Sequence, residues 1–309
     1  MATHRLPAAP ETATQVLSRD TPPVLRIQPG DRVVVESLDA WGHLERQEAP
    51  GAVTPYRFED RRGHALTGPI EVAGAMPRDV LSVGFDTLET AEWGWTAAGR
   101  RDDAFMRSMG LEGTDPAWLL WELDSGAGTG TNQYGHVVRL APFLGVVGLP
   151  PIEPGEHSTT PPRTQGGGNI DCRELTAGST LFLPVTVPGA LLHLGDGHAA
   201  QGDGEVGGTA IECGMTTTLT VDIVRDAPLR SIHAVTPTSR ITFGFDADLN
   251  RATAEALGAM LTWLQQLHGV ERKVALALAS SVVDLRVTQI ANHTWGVHAV
   301  LAIDAVGQG

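Results

Sequence analysis

The sequence predicts a mainly β protein, with a β-sandwich or barrel-like body over residues 1–225 followed by a β-α-α-β-β unit over residues 226–309. Three observations point there. Short apolar runs of alternating character, cut by Gly, Pro, Asp and Thr, extend from Val24 to about Val224. Tight turns feed Val- and Leu-rich runs at QPGDRVVVE, MPRDVLSVG and TAGSTLFLP. Helical spacing enters only after about Asp226.

In chain order, Gln28 to Glu36, Met76 to Gly84 and Thr176 to Pro184 each read as a tight turn feeding a Val/Leu strand, suggesting hairpins of a sandwich or barrel. From Trp93 to Gly135 the text is polar around one apolar piece, Trp118 to Leu123, and reads as a long insertion or lid with little regular structure. Ser239 to Phe245 alternates as a strand. Leu249 to Leu267 then places Leu257, Met260, Leu261 and Leu264 on one helical face, with Gly269 as its C-terminal stop. A second helix over Glu271 to Ser281 and strands from Asp284 and Gly296 complete the α+β unit.

Composition excludes several classes. With 309 residues, 42% of them apolar, the chain can bury a sizeable core without disulfide staples, and its two cysteines are too few for a disulfide framework. The formal charge of −14 opposes phosphate backbones and anionic membranes, so nucleic acid and membrane are not expected partners. The N-terminal stretch lacks the apolar core of a secretory signal, and no segment approaches the length needed to span a bilayer. A cytoplasmic location is expected.

Ligand-type side chains concentrate between Gly166 and Glu212. Three pairs have spacing two: Asn169 with Asp171, Asp196 with His198, and Asp203 with Glu205. On extended backbone such pairs project to one side, and the neighbouring glycines allow close approach. One imidazole with several carboxylates suits a divalent ion, Zn above all, with Mn, Fe or Ca as alternatives, held with a position open to water. Asp171, Asp196 and His198 are the candidate metal ligands. Glu205 is the candidate general base, with Glu36 on VVVES second, and Asn169 is a candidate substrate-binding group. An Asp-Gly-rich stretch also reads as a set of solvated turns. His193 in LLHL reads as a hydrogen-bonded core residue, and Cys172 as buried and inert.

The stretch GGGNIDCRELTAGSTLFLPVTVPGALLHLGDGHAAQGDGEVGGTAIE closely resembles the segment that marks the acetamidase/formamidase family. The likeness extends to GDRVVVESLDA, TGPIEVAGAMPRDVLSVGF, LAPFLGVVGLPP and SSVVDLRVTQIAN, and so covers most of the chain. It implies hydrolysis of formamide, acetamide or similar short amides on a β-rich fold, with a metal in or near the site and commonly as a homo-oligomer. A related metal hydrolase of cyclic or larger amides, or a non-catalytic binding protein whose metal orders a loop, are the alternatives. Asn169, Asp171, Asp196, His198 and Glu205 match motif positions, as do Glu36 and Asp39 in the N-terminal block, and this match makes Asp39 a second candidate substrate-binding group. Covalent routes that need a catalytic lysine are disfavoured, because the single lysine, Lys273, lies in a predicted packed helix.

Overall fold

The computed structural model describes residues 1–99 and 104–307. Among these residues eighteen strands join in one hydrogen-bonded sheet system, nearly all antiparallel, and the only long helices come near the C-terminus. The mainly β class with a helical C-terminal part is therefore what the chain adopts.

The three turn signatures each open a strand: Asp31–Ser37, Val80–Ala98 and Thr180–Pro184. Strand Glu212–Val224 organises the body, because it pairs with Asp31–Ser37 on one side and with Val80–Ala98 on the other. Alternation along it buries Met215, Leu219 and Val221 against Val33, Val35, Val83 and Phe85. Each such side chain removed from water stabilises the fold by roughly 1.5–3 kcal/mol before conformational entropy is counted.

The start of that strand is also the return arm of a hairpin. Strand Leu192–His198 pairs with it so that His198 faces Glu212; Leu66–Val72 pairs with the first half of Leu192–His198 along that same edge, and Phe143–Gly148 pairs along the other. Phe143–Gly148 in turn pairs with the short strand Gly167–Asn169. Four segments distant in sequence thus meet at one place in the sheet.

The C-terminal unit follows the predicted order: strand Ser239–Asp246, helices Leu249–His268 and Arg272–Val282, then strands Val283–Gln289 and Trp295–Ala302. Asp248 caps the first helix by accepting a hydrogen bond from the Asn250 amide, and Gly269 at φ 64° ends it. Met260, Leu261 and Leu264 are buried as expected, while Leu257 is half-buried. Gly244 lets the helix lie directly on its strand; a Cβ there would stand 2.0 Å from the Ala252 carbonyl oxygen. No helix among the described residues is long and apolar enough to cross a membrane.

The expected irregular insertion is instead regular. Val80–Ala98 continues as one strand through Trp93 and Trp95 and pairs with Ala117–Asp124, which pairs with Thr129–Asn132. A ribbon at the margin of a sheet needs only half its residues to be apolar, so polar content was a poor guide to disorder. Arg100 to Asp103, within the first part of the expected insertion, lie outside the described residues.

Candidate active site

The convergence of Phe143–Gly148, Gly167–Asn169, Leu192–His198 and Glu212–Val224 carries a buried cluster of Asp171, Asp196, His198, Glu205 and Glu212. Gly145 is its floor. The Gly145 carbonyl oxygen accepts hydrogen bonds from the amides of Ile170 (2.9 Å) and Asp171 (3.2 Å), which folds the segment after Asn169 back over the strand. A Cβ on Gly145 would stand 2.6 Å from Asp196 Oδ2, 2.7 Å from Asp171 Oδ1 and 2.8 Å from His198 Cε1. Three ligand-type side chains therefore close over one point that only a glycine leaves open.

His198 fixes the polarity of the cluster. Its Nδ1 bonds Gln201 Oε1 at 2.9 Å, and Gln201 Nε2 donates to the Asp171 carbonyl oxygen at 2.8 Å. That pairing makes Nδ1 the protonated nitrogen and turns Nε2 towards the acids. Nε2 lies 3.5 Å from Asp196 Oδ1 and 3.3 Å from Glu212 Oε2. Such separations are long for a charge-assisted hydrogen bond. They match the spacing of about 3–3.5 Å between donor atoms that share one ion at roughly 2.0–2.2 Å.

The electrostatics point the same way. Both carboxylate oxygens of Asp171, and Asp196 Oδ1, Glu205 Oε2 and Glu212 Oε2, are buried with no hydrogen-bond donor among the described residues, as is Asn169 Oδ1. Burial, with the charge of Glu205, holds the Asp171 carboxyl well above the usual carboxylate range. Burial likewise pushes Glu205 and Glu212 up to about 8 against the pull of His198. Burial opposes the charged form of His198, but Glu212 and Asp196 outweigh it and hold the imidazole well above its ordinary value. Burial would also raise Asp196, yet His64 and His198 keep it well below the usual range. Four buried carboxyls against one imidazole form a set short of positive charge, and desolvated anions persist only when paired or bound to a cation.

Donor atoms of Asp171, His198 and Glu205 lie within 4.8 Å of one another, and so do those of Asp196, His198 and Glu212. The unpartnered oxygens, the open point above Gly145 and the nitrogen-plus-carboxylate donor set all fit a divalent cation. A cavity of about 530 Å³ reaches the cluster from solvent and has Glu205 and Gln201 in its wall.

The sequence profile of the acetamidase/formamidase family matches residues 8–158 and 152–304. The chain belongs to the acetamidase/formamidase family. It is 26% identical over 286 residues to the formamidase of Methylophilus methylotrophus, an alignment covering 72% of this chain and 68% of that one. The crystal structure of an acetamidase from Bacillus halodurans superposes with a TM-score of 0.86 at 27% identity, covering 97% of both chains. That of an acetamidase from Yersinia enterocolitica gives 0.84 at 27% identity, over 99% of this chain and 93% of that one. Membership makes the chain an amidase acting on linear amide bonds.

In this amidase Asp171, Asp196, His198 and Glu205 come together, and Asn169 lies buried just before Asp171. The route differs from extended pairs. Asp171, Asp196 and Glu205 have φ of 52°, 59° and 43°, so the carboxylates are aimed by left-handed turns and a kink within a strand. Asp203, paired with Glu205 by spacing, is exposed.

Glu36 is not brought to the cluster: Val35 and Ser37 point inwards and Glu36 is exposed on the opposite face of its strand. Asp39 is buried but already engaged. Its Oδ1 accepts from the amides of Trp41 and His43, and its Oδ2 from His43 Nδ1 (2.8 Å) and Trp95 Nε1 (3.0 Å), so it braces an aromatic cluster. Glu212, and His64 at 3.9 Å from Asp196 Oδ2, belong to the site without having been singled out in the sequence. A signal existed for Glu212, because a hairpin returning from His198 must set some residue opposite it.

His193 is a core histidine as expected, fully buried with Nδ1 bonded to the Leu191 carbonyl oxygen at 2.9 Å, and burial lowers it to about 4. Cys172 donates its thiol to Glu174 Oε2 at 3.2 Å. Burial, then the charge of Glu174, push that thiol well above its ordinary value. Burial would raise Glu174 itself, but hydrogen bonding and charge from His298 bring it to about 2. A thiolate nucleophile is therefore disfavoured. Cys172→Ala is expected to retain turnover within about tenfold, since loss of a true nucleophile costs several powers of ten. A folded but inactive variant, with an acyl thioester trapped at Cys172 of the parent, would overturn this.

Proposed function

We propose that the chain hydrolyses short aliphatic amides to a carboxylate and ammonia, with a divalent cation, Zn by its donor set, held by Asp171, Asp196 and His198. The supporting observation is the group of buried carboxylate oxygens without donors around His198 Nε2. When bound, such a cation lowers the pKa of water and polarises an amide carbonyl. Glu205 takes a proton from water and passes it to the departing amine, a role supported by its position against both the cluster and the cavity. Its upward shift brings it towards neutral pH, where a group can both accept and return a proton. Gln201 holds His198 in the tautomer that presents Nε2, and through the Asp171 carbonyl it ties two ligand segments together. Asn169, buried with a free Oδ1, is the candidate partner for the substrate's amide N–H. A homo-oligomeric, cytoplasmic enzyme is the expected setting.

Ammonia release from formamide, acetamide and propionamide, measured before and after exhaustive chelation and again after restoring Zn or Mn, tests this reading. Activity is expected to vanish with the metal and return with it. Undiminished release from a chain shown to be metal-free would sink the metal-dependent reading.

A further inference from the structure

The cavity leading to Glu205 is far larger than formamide or acetamide requires. Its volume of about 530 Å³ lies in the range of about 300–1,000 Å³ that holds ligands of many heavy atoms. Its walls are divided. Trp121, Val138, Ala200 and Ile211 give an apolar lining, and Arg139 and Arg173 add two cations. Both arginines are exposed, and neither side chain has a hydrogen-bonded or ion-paired partner among the described residues, a lack they share with Arg5, Arg225, Arg240 and Arg251; what sets them apart is that both line this cavity. Asp203 is the one exposed carboxylate on the same wall, and Glu205 belongs to the cluster.

Two guanidiniums beside an apolar wall give this open cavity donor groups for an anion, in a chain of net charge −14. Guanidinium forks bind carboxylates through paired N–H donors, and do so best where water is partly excluded. Trp121, Val138, Ala200 and Ile211 give an alkyl chain an apolar wall to lie against.

We infer that the preferred substrate is a primary amide whose acyl chain ends in a carboxylate, with the amide at Glu205 and the carboxylate against Arg139 and Arg173. This rests on the amidase reading above and narrows its substrate class. The reaction is unchanged in balance: the amide and one water give a dicarboxylate and ammonium, the C–N bond breaking as the C–O bond forms. Arg139 and Arg173 take no part in proton transfer. They set which acyl chain is held.

The test compares kcat/KM for succinamate, its neutral shape analogue 4-methylpentanamide and the cationic 4-aminobutanamide. Succinamate is expected to lead 4-methylpentanamide by about tenfold, with the cation slowest, since the guanidiniums attract the carboxylate and repel the ammonium. The double variant Arg139→Met, Arg173→Met should erase that order while leaving kcat/KM for acetamide within a few-fold. An order that favours the neutral amide in the parent, or one untouched by the double variant, overturns the inference. If no amide is hydrolysed, the amidase reading falls and binding still decides this one. Titration of succinamate, followed by calorimetry, is then expected to be weakened about tenfold in the double variant, and equal binding by the two chains would refute it.

Discussion

Gly145→Ala is expected to lower turnover by at least about 100-fold and to strip the chain of bound metal, although the substituted atom is a single methyl group. Nothing in the backbone forbids the change, because Gly145 is not among the residues held at positive φ. The obstacle is contact. The new Cβ would lie at 2.6–2.8 Å from Asp196, Asp171 and His198, and the remaining side of Gly145 is closed by the amides that bond its carbonyl oxygen. All three side chains would have to retreat, and misplacement of reacting groups by about 1 Å can cost on the order of 100-fold in rate. Overpacking of this kind usually destabilises by only about 1–3 kcal/mol, so the variant should still fold. Metal content, circular dichroism and ammonia release measured together decide the matter. Native-like metal content and activity would show that Asp171, Asp196 and His198 do not close over one ion.

The same geometry explains what could be read from the sequence. Strands that follow a tight turn, and a helix bounded by Asp248 and Gly269, are written in local chemistry and were legible. Grouping Asp171, Asp196, His198 and Glu205 was legible too, because glycine-flanked ligand residues crowd one stretch of chain. The extended-pair reasoning behind that grouping does not describe the structure, where left-handed conformations at Asp171, Asp196 and Glu205 do the aiming. Local alternation alone would have turned Glu36 outwards, given that Val33, Val35 and Ser37 are buried. Glu212, His64 and Gly145 depend on which strands are neighbours and in what register. Gly145 sits opposite Asp196 only because Leu144 pairs with Gly197 and Val146 with Gly195. Such cross-strand information is not carried by any single segment.

Glu205→Gln should lower turnover by about 100- to 10,000-fold while leaving fold and metal content intact, the magnitude usual for a general acid/base group. The structure makes this sharper than a simple loss of function, because two buried glutamates flank His198 and both are pushed up to about 8. Only Glu205 also borders the cavity, so only it can meet water and amide arriving from solvent. Glu212 faces His198 Nε2 across the hairpin, a position suited to completing the ligand set. Glu212→Gln is accordingly expected to lose metal along with activity, since the amide is a weaker ligand than the carboxylate. The paired measurement separates the roles: activity falls in both variants, metal in Glu212→Gln alone. If Glu205→Gln loses its metal and Glu212→Gln keeps it, the assignments are exchanged, and Glu212 rather than Glu205 carries the proton.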